Sequence, residues 1–239
     1  MRPCAGGAHP VVRSTLLRLG RHLSASTLAN LRSVLSYLEL GRWIAAIATS
    51  DGAVVRVATD FDVFAVALRH VTGNRPLYLE FGVFEGRSMR WWSGNLKNAN
   101  ARLLGFDSFE GLPEDWRPGI GKGAFGTGGP PTIDDSRVEF VAGWFDETLP
   151  RFRLPPHDQL IVNIDCDLYA SAATVLRWLE PRLTSGALIY FDELPDRDHE
   201  MRALFEWLER IPGRVRPLAM GAGGLHWLFE YADKPGTGG

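Results

Sequence analysis

The chain has 239 residues, a formal net charge of -2 and 45% hydrophobic residues. These values are typical of a soluble globular protein with one main domain, and they exclude a general electrostatic attraction to nucleic acid or to an anionic membrane. No segment reaches the ~18 consecutive apolar residues of a membrane span. Because Cys4 and Cys166 lie in unrelated contexts, we expect no disulfide and a cytoplasmic location.

The N-terminal third of the chain is predicted in two parts. Residues 1–24 combine arginine with glycine and proline, and we expect them to be disordered. Residues 25–72 are predicted as a helical appendage, because apolar residues recur at helical spacing over Ser26–Ile47 and again over Asp60–Val71. The first of these helices should pack on the main domain. The alternatives are that it covers the substrate or that it pairs two subunits of a homodimer.

Residues 73–233 alternate between apolar runs and amphipathic stretches. The apolar runs predict strands over Leu77–Phe81, Leu103–Phe106, Val138–Ala142, Gln159–Ile164, Ala187–Phe191, Val215–Leu218 and Leu225–Tyr231. The amphipathic stretches predict helices over Ser88–Ala99, Ala172–Leu183 and His199–Arg210. This alternation predicts a Rossmann-like α/β fold with a mostly parallel seven-stranded sheet, helices on both faces and an antiparallel hairpin at one edge.

The first candidate binding segment is Glu80–Ser88, which follows a predicted strand and opens a predicted helix. Gly82 allows a sharp turn, Gly86 allows a ligand to approach the backbone, and the free N–H groups of the helix start favour a carboxylate. The G-x-x-x-G spacing differs from the G-x-G-x-x-G of dinucleotide-binding proteins. A plain strand-to-helix turn remains the alternative.

Two further segments indicate a nucleoside site. Asp107 ends the second predicted strand, where an acidic residue in doubly wound folds binds ribose hydroxyls. Trp144 follows the third strand and could stack on an adenine. The alternatives are a turn aspartate that caps a helix and an aromatic residue that packs in the core.

Four carboxylates, namely Asp165, Asp167, Asp192 and Glu193, follow two later strands. Ligand sites of open α/β sheets gather at the carboxyl ends of the strands, so we expect these groups to converge. Converging carboxylates repel one another unless a cation or a proton joins them, and oxygen ligands favour Mg²⁺. The alternative is a set of separate aspartates that cap the following helices.

Five segments, taken in order, carry a family resemblance. They are Leu79–Ser88, Gly105–Glu114, Gly143–Pro150, Ile164–Tyr169 and Phe191–Glu193. Together they resemble the macrocin O-methyltransferase (TylF) family of class I methyltransferases, which depend on S-adenosylmethionine (SAM) and Mg²⁺, and many of which methylate sugar hydroxyls of natural products. The family commonly has two aspartates where this chain has Asp192 and Glu193.

The resemblance implies a role for each matching residue. The cofactor site would comprise Glu80, Gly82, Val83, Gly86, Ser88, Asp107, Ser108, Trp144 and Asp165. The metal ligands would be Asp165, Asp192 and Glu193, and the candidate bases are Asp165 and Asp167, with His199 a weaker one. The partner would be a small molecule with a hydroxyl group, not a nucleic acid or a membrane.

The glycine-rich loop of residues 111–135 is predicted to be either a lid over the acceptor or a disordered insertion. As a lid, it would present Trp116 or Phe125 to an acceptor ring. Three other functions stay open at this point. They are an NAD-dependent oxidoreductase, a SAM-binding protein without catalysis, and an RNA methyltransferase.

Overall fold

The structure, a computed structural model, describes residues 10–48 and 53–233. Cys4 lies outside these residues. Within them, one sheet contains eight strands: β1 (Val55–Arg56), β2 (Pro76–Phe81), β3 (Arg102–Asp107), β4 (Val138–Ala142), β5 (Gln159–Ile164), β6 (Leu188–Phe191), β7 (Arg214–Met220) and β8 (Trp227–Ala232). Their order across the sheet is β1-β7-β8-β6-β5-β2-β3-β4.

The predicted α/β fold is confirmed. All neighbouring strands pair in parallel except those that pair with β8, which runs antiparallel to both β6 and β7. The seven predicted strands are all present. The eighth, β1, was missed because it has only two residues and is defined by its pairing with Ala219 and Met220 of β7. Because of β1, the antiparallel pair is not at the extreme edge of the sheet.

The strand register positions the candidate site. Phe81 of β2 lies opposite Phe106 of β3 and Ile164 of β5, and Ile164 lies opposite Phe191 of β6. The residues that come directly after Phe81, Phe106, Ile164 and Phe191 are Gly82, Asp107, Asp165 and Asp192. Four of the predicted site residues therefore lie at or directly after the ends of four aligned strands.

Seven α-helices occur in the described part of the chain. They are α1 (Pro10–Gly20), α2 (Ala25–Ile47), α3 (Asp60–Arg69), α4 (Arg87–Asn95), α5 (Phe145–Thr148), α6 (Tyr169–Leu179) and α7 (Glu200–Leu208). Helix α3 begins with a capping box, in which the side chain of Thr59 and the side chain of Asp62 each accept a hydrogen bond from the other residue's backbone N–H. The C-terminal half of α2 and helices α3 to α7 cover both faces of the sheet and bury two apolar cores, one on each face. None of the seven helices is long and apolar enough to cross a membrane.

The N-terminal helices differ from the prediction. Residues 10–20 were expected to be disordered but form α1, whose apolar residues, such as Leu17, are exposed. Helix α2 is capped by Ser24, whose side chain accepts a hydrogen bond from Thr27 N–H, and it passes through Gly41 without a break. Its C-terminal half packs on the core through Leu40 and Trp43, but the predicted apolar face of its N-terminal half is exposed. Nothing in the described residues covers that face, and the homodimer stays a prediction.

Candidate active site

A cavity of about 580 Å³ opens where the four strand ends meet. This volume lies within the range of small-molecule sites. Among the predicted residues, those that line it are Gly82, Asp107, Ser108, Trp144, Asp165, Asp167, Asp192 and Glu193. One cavity thus brings together the predicted nucleoside residues and the predicted carboxylates.

Gly82 makes the turn at the end of β2. Its φ of 93° lies in the left-handed region, where a side chain is strained. A Cβ atom built at this position would overlap the carbonyl oxygen of Asp165 in the neighbouring strand end. The close approach of these two backbone segments therefore requires glycine, and it leaves the floor of the cavity formed by main chain.

Asp107 fixes the backbone around the cavity by accepting hydrogen bonds from three backbone N–H groups. One carboxylate oxygen accepts hydrogen bonds from the N–H groups of Val83 (2.7 Å) and Phe84 (3.0 Å), and the other accepts from Phe109 N–H (2.7 Å). A carboxylate has about four acceptor positions, so capacity remains for a ligand hydroxyl. Asp107 is therefore fixed in place before any ligand binds.

Four of the residues predicted for the cofactor site do not line the cavity. Val83 and Ser88 are buried, and Gly86 is the left-handed residue before α4. Glu80 is inside β2, where alternate residues share a face, so its side chain lies beside Tyr78 in the core and not at the strand end. A direct contact of these four residues with a ligand in this cavity is not supported.

Glu80 is a buried acid with few partners. The hydroxyl of Tyr78 donates to its carboxyl at 3.0 Å, and burial raises the pKa of Glu80 from 4.5 to about 8. The folded protein therefore binds a proton here that the unfolded chain releases. The free energy of unfolding should fall as the pH rises from about 4.5 towards about 8.

We expect Glu80→Gln to remove this pH dependence, because glutamine resembles the protonated acid. Between pH 5 and pH 7 the wild-type protein should lose about 2–3 kcal/mol of unfolding free energy relative to the variant. Urea denaturation at several pH values measures this difference. The matched control is Glu139→Gln, which changes an exposed glutamate. Parallel stability curves for wild type and Glu80→Gln would show that Glu80 is ionised in the folded state.

Trp144 and Ser108 line the cavity together with Asp107. The N–H of Gly143 donates to the carbonyl of Asp107 at 3.0 Å, which ties the end of β4 to the end of β3. Trp144 follows at the start of α5 and is partly exposed to the cavity. Ser108 accepts a hydrogen bond from Glu110 N–H at 3.1 Å. An aromatic ring and a fixed carboxylate therefore share one wall.

Asp165 and Asp167 follow β5, which lies on the other side of β2 from β3 and Asp107. Burial raises the pKa of Asp165 well above its usual range, and the charges of Asp192 and Asp167 raise it further. Burial, together with Glu193 and Asp192, raises the pKa of Asp167 to about 7. Asp167 also has a φ of 57°, an uncommon conformation that aspartate adopts more readily than most residues.

The other two carboxylates are bound by protein groups. One oxygen of Asp192 accepts a hydrogen bond from the hydroxyl of Tyr190 (2.7 Å) and lies 3.0 Å from Nδ1 of His226. An oxygen of Glu193 pairs with the guanidinium of Arg117 at 3.1 Å. Over residues 10–48 and 53–233, no three acidic, histidine or cysteine side chains are arranged to hold a metal ion. The residues therefore do not fit the predicted Mg²⁺ site as they are placed.

Three neighbours of this acid cluster were not predicted. Arg117 and His226 are distant in sequence from the carboxylates they contact, and Glu200 is buried at the start of α7, where it accepts Glu193 N–H at 3.3 Å. Of these three, only Glu200 could have been suspected from the sequence, because it is an acidic residue in the first turn of a helix. His199, the weaker candidate base, does not line the cavity, and its Nδ1 accepts Tyr169 N–H at 3.2 Å.

The loop of residues 111–135 folds against the cavity mouth. Backbone hydrogen bonds join Leu112 N–H to the carbonyl of Ala124 and Gly123 N–H to the carbonyl of Leu112. Leu112 and Trp116 pack with Leu168 in a small apolar cluster. The loop therefore has a defined conformation in this structure. It supplies part of the cavity lining through Trp116, Arg117 and Phe125.

The chain is similar in sequence to known methyltransferases. Residues 79–194 match the methyltransferase domain family. A 59-residue stretch is 37% identical to the 8-demethyl-8-(2,3-dimethoxy-α-L-rhamnosyl)-tetracenomycin-C 4′-O-methyltransferase of Streptomyces olivaceus, and it covers 25% of this chain and 22% of that protein. The match therefore spans only about a fifth of the length of this relative.

Two solved structures share the fold. The O-methyltransferase NovP is 19% identical, with a TM-score of 0.56 over 73% of this chain and 80% of that chain. The calicheamicin methyltransferase CalS11 is 20% identical, with a TM-score of 0.53 over 93% of this chain and 87% of that chain. These two likenesses show that the chain has the Rossmann-like methyltransferase fold that its five motifs predict.

Proposed function

We propose that the chain transfers a methyl group from SAM to a hydroxyl oxygen of a sugar or another small natural product. The proposal draws on the methyltransferase domain and on the relatives, one of which is a rhamnosyl O-methyltransferase. The observation that carries it is the position of Asp107. This carboxylate is fixed by three backbone N–H groups at the strand end beside Gly82, in the cavity that also contains the acid cluster.

The nucleoside wall of the cavity fits SAM. Asp107 would accept hydrogen bonds from the ribose hydroxyls, and the ring of Trp144 would lie against the adenine. The backbone turn at Gly82 would face the methionine part, because Gly82 lines the cavity beside Asp107. When bound, SAM supplies a methyl group on a positively charged sulfur, which leaves without the help of an acid.

The opposite wall suits the acceptor. Asp167 would take the proton of the attacking hydroxyl, and a base with a pKa of about 7 is matched to that task near neutral pH. Trp116 and Phe125 line the same part of the cavity and offer apolar surface to an acceptor ring. Holding the hydroxyl in line with the transferred methyl group is the main contribution expected of this wall.

The loop of residues 111–135 would act as a lid. It contributes Trp116, Arg117 and Phe125 to the cavity, so an acceptor that binds there would contact it directly. A closed lid would exclude water from the reacting oxygen. Because the predicted Mg²⁺ ligands are not arranged to hold a metal, we route no step of the reaction through a metal ion.

Isothermal titration calorimetry separates this function from the oxidoreductase alternative. We expect SAM and its product S-adenosylhomocysteine to bind, and NAD to show no saturable heat, because the segment at Gly82 lacks the pyrophosphate-binding loop. Binding of NAD without binding of SAM would overturn the proposal. Binding of SAM without turnover on any hydroxyl acceptor would leave a SAM-binding protein.

A further inference from the structure

Two hydrogen-bond donors of the protein face the acid cluster from different parts of the chain. The guanidinium of Arg117 pairs with Glu193 at 3.1 Å and lies over the ring of Trp116, with 3.6 Å from its central carbon to the ring centroid. Nδ1 of His226 lies 3.0 Å from an oxygen of Asp192. The side chains of both acids are about a quarter exposed, so these contacts are at the cavity wall.

These contacts compete with metal binding. One oxygen of Asp192 accepts from Tyr190 and one oxygen of Glu193 accepts from Arg117, so a divalent cation could use these two oxygens only by displacing protein donors. Stacking on Trp116 restrains the guanidinium of Arg117 beside Glu193. A cation bound to Glu193 would also be close to the positively charged guanidinium of Arg117. The two positive charges would repel each other.

Nδ1 of His226 has a second neighbour, the hydroxyl of Tyr190. The hydroxyl of Tyr190 lies 3.0 Å from Nδ1 of His226 and donates to Asp192 at 2.7 Å. The rings of Tyr190 and His226 are nearly parallel, at an interplanar angle of 11°. Tyr190, Asp192 and His226 therefore form one compact hydrogen-bonded group. A metal ion that bound the same oxygen of Asp192 would have to displace the hydroxyl of Tyr190.

We propose that Arg117 and His226 replace the divalent cation at this acid cluster, so that the enzyme binds no metal at Asp192 and Glu193. The two residues are positioning residues, since they act on the carboxylates of the cavity wall. The inference goes beyond the proposed function, which requires only the cofactor, the acceptor and the base. It also gives a physical reason for the arrangement of the acid cluster, which differs from the predicted Mg²⁺ site.

The test uses Mn²⁺ as the probe, monitored by electron paramagnetic resonance, on the full chain with S-adenosylhomocysteine. We expect no saturable Mn²⁺ binding by wild type at this cluster. Arg117→Ala frees Glu193 and should gain a saturable Mn²⁺ site that is at least about tenfold tighter than the weakest binding the measurement would detect in wild type, since close charge pairs commonly contribute that much or more. His226→Ala should act in the same direction.

The matched control is Arg102→Ala, which breaks another arginine–glutamate pair of 3.1 Å far from the cavity and should leave Mn²⁺ binding unchanged. A Mn²⁺ site in wild type that Asp192→Asn abolishes would overturn the inference. Failure of both alanine variants to gain Mn²⁺ affinity would also overturn it. Calorimetry with S-adenosylhomocysteine tests the proposed function separately, so the two failures are distinguishable.

Discussion

Replacement of Asp107 by asparagine is expected to weaken binding of S-adenosylhomocysteine by about 100-fold. The carboxylate accepts three backbone N–H groups, and the amide of asparagine would turn an NH₂ group towards at least one of those donors. The variant would also lose the charged acceptor for the ribose hydroxyls. Hydrogen bonds to charged groups contribute about 1.5–3 kcal/mol each, so two such losses account for this effect.

Calorimetry measures this loss, and Asp134→Asn is the control because Asp134 is exposed and does not line the cavity. Circular dichroism would verify that both variants are folded. If Asp107→Asn bound S-adenosylhomocysteine as wild type does, Asp107 would not contact the ribose, and the nucleoside wall would have to be assigned elsewhere in the cavity.

Replacement of Asp167 by asparagine is expected to lower kcat by about 10²–10⁴-fold, which is the usual contribution of a general base. Asparagine is the closest match in shape, and it tolerates the positive φ of 57° at this position. The backbone should therefore keep its conformation while the proton acceptor is lost. The affinity for S-adenosylhomocysteine should remain within about twofold of wild type, because the base lies on the acceptor side.

Steady-state rates on one acceptor, combined with calorimetry on the same protein preparation, separate these two effects. Asp198→Asn is a suitable control, because Asp198 is an exposed aspartate outside the cavity lining. Equal kcat values for wild type and Asp167→Asn would rule out Asp167 as the base. A loss of cofactor binding together with activity would assign it to the cofactor wall.

The strands that form the sheet could be predicted from sequence because each is a short apolar run that ends at a glycine or an acidic residue. Strand β1 could not, since two residues carry no periodic pattern and its identity depends on pairing with β7. Helix α1 was missed because composition suggested disorder. Helix α2 was predicted, but its apolar pattern does not reveal that only the C-terminal half packs on the core.

The site was predictable where a residue directly follows a strand end. Gly82 and Asp107 satisfy this condition, and the parallel register brings them together. Glu80 precedes the strand end, so the alternation of side chains directs it into the core. Arg117 could not be paired with Glu193 from sequence, because 76 residues separate them and only the folded loop brings them into contact.

The most direct test of the proposed activity is transfer of a deuterated methyl group. Wild-type protein is incubated with SAM that carries a CD₃ group and with a panel of rhamnosides and other glycosides, and the products are analysed by mass spectrometry and NMR. We predict an acceptor that gains the CD₃ group on a hydroxyl oxygen, at a rate that Asp167→Asn lowers. Transfer to a nitrogen, carbon or sulfur atom instead of oxygen would contradict the assignment as an O-methyltransferase.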